Sequence, residues 1–363
     1  MADRLYIGID LGTYQSTISA SNGQGGTVET IVGKPKDPIA RNFLKRDTLF
    51  GAEALKNKLA CNLYRPLAAG VAQDDENNLA AAKAFVTHLV ESVDPEEFDE
   101  VYGVICSPSH ISFVDKSNLV SILRGQVNAI MVVSEPFAVA YGLGEIGGSI
   151  VADIGAGTTD VCRMYGTFPN EDDECTLEEA GDWIDEVLKD LIEKKYTGAQ
   201  LTKDMVRQWK EAGSYIGDDR EMMVELSVDG KKQHVDIGDL VGIACSGLVT
   251  PVVNAIKANV AGADPEYQPI MRNNIILAGG GSLIEGPSDR VARGVGARGD
   301  HGARRPTRCA GCPRGAPGVR WPCGPSARLR NWDELRASLR PRAVPLSREI
   351  PGAACARECQ YAA

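Results

Sequence analysis

The sequence predicts an α/β protein built from two related halves, each opening with a β-meander. Three observations predict it. A strand–turn–strand template, "IGIDLGTYQST" at 7–17, returns as "VADIGAGTTDV" at 151–161, matching Asp10 to Asp153 and Gly12 to Gly155. Each copy leads into helical stretches with apolar stripes and further apolar strands. A third glycine turn closes the series at the end of "NNIILAGGGS", 273–282.

The elements follow in chain order. "MADRLYIGID" enters an apolar strand directly, without a basic n-region and h-region, so no signal peptide is expected. No stretch reaches the roughly 18 apolar residues of a membrane span. A cytoplasmic protein without a direct membrane span is the expectation. "SNGQGG" (21–26) and "YGTFPN" (165–170) end the second strand of each template copy as turns. Residues 78–93 place Leu79, Ala82, Phe85, Val86, Leu89 and Val90 on one helical stripe, and 182–196 do the same with Ile184, Val187, Leu188, Leu191 and Ile192. "VYGVICSP" (101–108) and "AIMVVSEP" (129–136) read as buried strands ended by turns. "MVELSVDGKKQHVDI" (223–237) alternates about an Asp-Gly turn and reads as a hairpin. One long apolar helix is expected from there to about Val260. The boundaries this implies are 1–147 for a first domain, with a small subdomain at about 33–75, 148–287 for a second, and 288–363 for a tail.

Charge divides the chain. Residues 1–287 hold 24 basic and 43 acidic side chains, a net −19, whereas 288–363 hold 15 Arg, no Lys and six acidic residues, a net +9. A body this acidic does not attract nucleic acid through its overall field, and no nucleic-acid partner is expected. The tail is dense in Arg, Ala, Gly and Pro and loses apolar periodicity, which returns weakly at "NWDELRASL" (331–339). Three accounts of it stand: a reading-frame shift near Pro287 in a GC-rich gene, a basic disordered interaction tail, or a metal site on Cys309, Cys312 and Cys323. Cys61, Cys106, Cys162, Cys175 and Cys245 read as small core residues. His88 reads as packing, "EDDE" (171–174) as a solvent-facing loop, and the pairs Lys194–Lys195 and Lys231–Lys232 as solvated.

Two facing Asp-x-Gly turns suggest a specific chemistry. Glycine lets backbone N–H groups approach phosphate oxygens without a Cβ in the way. Thr13, Thr158 and Thr159 add hydroxyl donors. Asp10 and Asp153 cannot touch phosphate directly, because like charges repel. A Mg²⁺ between them resolves the conflict, since it takes a few carboxylates, several waters and phosphate oxygens. Both aspartates are therefore expected to meet the metal through water. No G-x-x-x-x-G-K-[ST] occurs, and "GLGEIG" (142–147) follows a helical stretch rather than a strand, so neither standard dinucleotide nor P-loop fingerprint applies.

These motifs together resemble the ATPase superfamily of actin, heat-shock chaperones and sugar kinases. "SEPFAVAYGLG" (134–144) is similar to its first connecting helix, and "MVRQWKEAGSYIG" (205–217) to the actin segment that contacts ribose and adenine. "VGKPKDPIARNFL" (32–44), "YRPLAAGV" (64–71), "VVSEPFAVAYGL" (132–143), "DIGAGTTDVC" (153–162) and "PEYQ" (265–268) look most like the magnetosome-associated bacterial actins, over residues 4–286. The resemblance implies an actin-like ATPase fold with ATP and Mg²⁺ in the cleft. Asp10, Gly12, Thr13 and Tyr14 match the first phosphate turn, and Asp153 with Gly155, Ala156, Gly157, Thr158 and Thr159 the second. Glu135 matches the glutamate that positions the attacking water, with Asp153 as its catalytic companion. Gly181, Asp182, Lys210 and Glu211 match contacts to ribose and adenine, and Gly279, Gly280, Gly281 and Ser282 the adenine-side turn.

The resemblance further implies self-association into cytoplasmic filaments that position intracellular structures, plausibly magnetosomes through a membrane adaptor. Two alternatives stay open: a monomeric small-molecule kinase or chaperone-like ATPase, and a truncated actin relative unable to polymerise. The family continues past the glycine triplet with a helix, a strand and a closing helix, a pattern not read in 288–363.

Overall fold

The computed structural model describes residues 3–296 apart from 69–70, 73–74 and 219. β1 (Arg4–Leu11), β2 (Gln15–Ala20) and β3 (Gly25–Glu29) form an antiparallel meander. β1 buries Leu5, Ile7, Ile9 and Leu11 in strict alternation, the period of a strand with one fully covered face. β4 (Val32–Pro35), α1 (Pro38–Leu44), β5 (Leu49–Phe50), α2 (Gly51–Lys56) and β6 (Cys61–Tyr64) follow, giving a three-stranded sheet with its own small core of Ile31, Leu49, Ala54 and Cys61.

Beyond the short pair β7 (Leu67–Ala68) and β8 (Val71–Ala72), the chain forms α3 (Glu76–Glu91), β9 (Glu100–Ser107), α4 (Phe113–Leu123) and β10 (Ala129–Ser134). Asp75 caps α3 by accepting from the Asn78 N–H, and Ser112 with Asp115 forms a reciprocal capping box on α4. β9 pairs parallel to β1, and β10 parallel to β9, so the sheet runs β10-β9-β1-β2-β3. The apolar stripes of α3 and α4 bury Phe85, Val86, Leu89, Leu119 and Leu123 against it. β10 departs from the sequence reading. It is an edge strand whose Ala129–Val132 are only half-buried, while Glu135 and Pro136 open the connecting helix that the resemblance implies.

That helix, α5 (Glu135–Leu143), leads to β11 (Gly147–Ile154), β12 (Thr159–Tyr165) and β13 (Glu174–Leu177), the second meander. α6 (Gly181–Lys195), β14 (Ala199–Gln200), α7 (Lys203–Gly213) and the hairpin β15 (Met223–Val228) and β16 (Lys231–Asp236) come next. The hairpin turns on Asp229 and Gly230, both at positive φ, as a two-residue primed turn requires. α8 (Gly238–Gly247), α9 (Val249–Ala261), α10 (Gln268–Arg272) and β17 (Ile275–Ala278) complete a sheet ordered β13-β12-β11-β17. β11 is buried on both faces from Gly148 to Ile154. α6, α8 and α9 supply the large core on one side, and α5 packs on the other with Phe137, Ala138 and Ala140.

Four further differences from the sequence reading have physical causes. The long apolar helix is two helices meeting at Leu248. Gly238–Ala261 is long and apolar enough to cross a membrane, yet over half of it is buried within the protein core, the signature of a core helix. Residues 171–173 form a 3₁₀ turn rather than an open acidic loop, because Asp173 is buried and paired with Arg163 at 2.8 Å. The tail boundary at 288 is too early. α11 (Pro287–Val295) continues the fold and packs Val291 and Val295 against α9. The "NWDELRASL" segment and the candidate ligands Cys309, Cys312 and Cys323 lie outside the described residues.

The smaller expectations mostly hold. His88 stacks on Phe50 with 4.2 Å between ring centroids. Cys61, Cys106, Cys162 and Cys245 are buried and Cys175 is half-buried, all as free thiols. Each lysine pair has one member in an ion pair, Lys195 with Asp239 and Lys232 with Glu225. "GLGEIG" holds the left-handed cap of α5 at Gly144, not a phosphate turn.

Candidate active site

Parallel strand order brings the site together. Asp10 on β1 pairs with Cys106 on β9, and Ser107 on β9 pairs with Ser134 on β10. Asp10 and Glu135 therefore emerge at the same carboxyl edge of the first sheet, the edge where α/β folds bind ligands. In the second sheet Asp153 pairs with Asp160 across the β11–β12 hairpin and with Ala278 on the other side. The third glycine turn, which begins at Gly279, thus lies beside the second phosphate turn.

The edges of the two sheets enclose a cavity of about 250 Å³. Asp10, Gly12, Thr13 and Tyr14 line it from the first half, together with Glu135. Asp153, Gly155, Ala156, Gly157 and Thr158 line it from the second, with Gly181, Asp182, Lys210, Glu211, Gly280 and Gly281. Three expected contact residues do not line it. Thr159 is fully buried and donates to the Glu179 carbonyl at 2.7 Å. Ser282 is buried and donates to the Gly279 carbonyl. Gly279, at φ +73°, packs so closely that a Cβ would lie 2.3 Å from the Ile154 carbonyl oxygen and 2.4 Å from Asp153 Oδ1. These three residues lie behind the cavity lining.

The turns are held differently. In the first, Thr30 donates its hydroxyl to the Gly12 carbonyl at 2.7 Å and its N–H to the Tyr14 carbonyl at 2.8 Å. In the second, the Gly155 N–H reaches the Thr158 carbonyl, while the Gly181 and Asp182 N–H groups donate to the Gly155 and Ala156 carbonyls. The start of α6 is thereby tied to the phosphate turn.

Asp10, Glu135 and Asp153 dominate the electrostatics. Burial, reinforced for Asp153 by the charge of Asp10, pushes Asp153 up to about 8, and burial lifts Asp10 to about 6. Glu135 is raised well above the usual carboxylate range by burial, then by Asp10, Asp153 and Asp160. None of the three has an ion-pair partner among the described residues, because the two basic side chains lining the cavity are already engaged. Arg207 binds Asp182 and Asp185, and Lys210 binds Asp185 at 2.8 Å and the Gly181 carbonyl at 2.7 Å. A cluster of unpaired carboxylates facing one cavity is a set of donors suited to a hard cation. Among the described residues no three His, Cys, Asp or Glu side chains group tightly enough to hold a metal ion. Cys106, next to the cluster, is pushed well up by burial and by the same three carboxylates, so it is an inert thiol.

Sequence reasoning missed Arg207. Its guanidinium lies 4.2 Å from the Tyr14 ring centroid, a cation–π contact that spans the two halves at the cavity mouth. Arg65 approaches the same ring at 5.7 Å and pairs with Asp204. The spacing Arg207-x-x-Lys210 places both bases on one face of α7, a signal that was present in the sequence.

With this geometry in place, similarity to known proteins can be read. The family described as MreB/Mbl protein matches residues 4–311. The actin-like protein MamK of Paramagnetospirillum magneticum is 35% identical over 286 residues, covering 78% of this chain and 82% of that protein. A MamK double helical filament aligns with TM-score 0.81 at 33% identity, over 84% of this chain and 95% of that one. A non-polymerising MamK mutant bound to AMPPNP aligns with TM-score 0.66 at 32% identity, over 85% and 95%.

Proposed function

The chain belongs to the MreB/Mbl family, and from that premise we propose that it is an actin-like ATPase that assembles into cytoskeletal filaments. Residues 1–147 and 148–287 act as two domains closing on ATP, and α11 extends the second. The filaments organise structures inside the cell, magnetosomes among them, through an adaptor on the organelle membrane. The observation that carries the reading is the cavity between two Asp-x-Gly turns, in a chain about one-third identical to a filament-forming relative.

The residues divide the work by position. Gly12, Thr13, Tyr14 and the turn 155–158 present N–H and hydroxyl donors to the phosphates. Asp10 and Asp153 hold Mg²⁺ through water. With Asp10 and Asp153 holding it, Mg²⁺ would supply positive charge to offset the phosphate oxygens. Glu135, the first residue of α5, orients the attacking water and takes up its proton. Gly181, Asp182, Lys210 and Glu211 bound the ribose side, and Gly280 and Gly281 the base. Because the Asp10 and Asp153 turns come from opposite halves, ligand binding draws the halves together. Head-to-tail stacking of closed subunits is a contact that does not close on itself and so grows a filament.

Sedimentation of the full chain with ATP, with AMPPNP and without nucleotide, read beside phosphate release, tests this. Pelleting that needs nucleotide, with release following assembly, is expected. A chain that releases phosphate while staying in the supernatant under all conditions would overturn the filament reading.

A further inference from the structure

Asp160 is a fully buried carboxylate that does not line the cavity, and the roles above leave it unused. It collects three donors from three places. Thr158, on the second phosphate turn, donates its hydroxyl to Oδ2 at 3.0 Å. The Ser109 N–H, on the segment leaving β9 in the first half, donates to Oδ1 at 2.8 Å. Thr176 on β13 donates to Oδ1 at 2.6 Å. The Ser109 segment is fastened again one residue later. The His110 N–H reaches Thr176 Oγ1 at 3.2 Å, and its Nε2 meets the Glu174 carbonyl at 2.8 Å. Asp160 therefore ties the phosphate turn of one half to a loop of the other.

The Thr158 hydroxyl has one proton and two lone pairs. With the proton committed to Asp160, the oxygen can only accept from whatever occupies the cavity it lines. The Glu135 carboxyl borders the same cavity. Two acceptors converging on one water fix both its O–H bonds and so aim its lone pair. We propose that Asp160 is a positioning residue for ATP hydrolysis: by holding the Thr158 proton, and only while the Ser109 loop is docked, it makes Thr158 the second acceptor that orients the attacking water beside Glu135. Hydrolysis is thereby coupled to closure of the two halves through a single carboxylate. This rests on the ATPase reading above.

Asp160→Asn tests it by reversing polarity. The amide can keep accepting from Ser109 and Thr176, but its NH₂ now donates to Thr158 and turns the hydroxyl proton into the cavity. The expected result is a fall in kcat of about 10- to 100-fold with little change in KM. Thr158→Val should cause a fall of similar size. The decisive measurement is the double variant Asp160→Asn/Thr158→Val, expected to be no slower than Thr158→Val alone. Thr176→Val removes a different donor from the same carboxylate and leaves Thr158 held. It also removes the acceptor of the His110 N–H that fastens the Ser109 segment, so thermal stability should fall and kcat should fall by less than in Thr158→Val.

Equal, multiplying losses from Asp160→Asn in both backgrounds would overturn the proposal and leave Asp160 as a strut. So would wild-type kcat in Thr158→Val, a result that is readable even if Asp160→Asn does not fold. A wild-type chain that releases no phosphate would overturn the ATPase reading and this inference together, whereas the variant outcomes with an active wild type bear on the inference alone.

Discussion

The two phosphate turns share a template but not a support. The first, around Gly12, is held within its own meander, chiefly by Thr30, whose hydroxyl also bonds Ser16 at 2.8 Å. The second, around Gly155, is held by its own meander through Asp160 and Thr176 and in addition by outside elements: the start of α6, the turn after β17, and the Ser109 segment of the first half. The strands beneath them differ likewise. β1 alternates between buried and half-buried residues, whereas β11 is buried on both faces. The first turn can thus travel with its half as a unit. The second is the fixed point to which the start of α6 and the turn after β17 are tied.

The largest expected effect separates chemistry from this scaffold. Glu135→Ala should lower phosphate release by about 10²–10⁴-fold while filaments form and persist longer, because the residue acts on water rather than on either turn. Hydrolysis at the wild-type rate in that variant would remove Glu135 from its role.

Next in size is a change to the fixed turn itself. Gly279→Ala forces a methyl group against the Ile154 backbone and the Asp153 carboxylate at a positive φ. It should cost about 2–3 kcal/mol in urea denaturation and weaken nucleotide binding. Gly8→Ala, on β1, meets nothing within 4 Å and should be nearly neutral, so equal costs at the two glycines would erase the contrast.

The carboxylates give a pH signature that resolves the two turns. Asp10 and Asp153 have folded pKa values raised to about 6 and about 8, against an ordinary 3.8. The folded protein therefore retains protons that the unfolded chain has released. Their contribution to stability is complete below pH about 4 and drains away as pH rises through 6 and then 8. Differential scanning calorimetry of the nucleotide-free protein should show Tm falling by about 5–10 °C from pH 5.5 to 8.5. Asp153→Asn should remove the upper part of that fall, and Mg²⁺ with ATP should shrink all of it. A Tm that climbs across this range contradicts the reading.

The smallest effect belongs to the self-contained turn. Thr30→Val deletes one hydroxyl that bridges Gly12 and Ser16 and should cost about 1–2 kcal/mol, with base and ribose contacts intact. A shift confined to phosphate affinity, read by comparing ATP with adenosine, would sharpen the comparison.

Much of this was readable from residue patterns. The two meanders, the stripes of α3 and α6, the Asp229–Gly230 hairpin and most of the cavity lining follow from period, turn chemistry and motif. Thr159, Gly279 and Ser282 gather at the cavity without lining it, because a motif says which residues gather and not which way each faces. The half-exposure of β10 escaped because an apolar run looks the same at a sheet edge as at its centre. α11 escaped because Arg and Gly mask its Val291 and Val295, although their i, i+4 spacing was there to be seen.

By itself the sequence determined the local pieces: which stretches are strands or helices, where glycine turns fall, and that two acidic turns repeat. Those depend on interactions within about ten residues of chain, where periodicity and backbone preference act. Only the tertiary structure decided that Asp10, Glu135 and Asp153 share one cavity without a cationic partner, that Arg207 reaches Tyr14 across the cleft, and that Asp160 binds Ser109 from the opposite half. Such pairings join residues 18 to nearly 200 positions apart, and strand order and packing set them, not any neighbour in sequence.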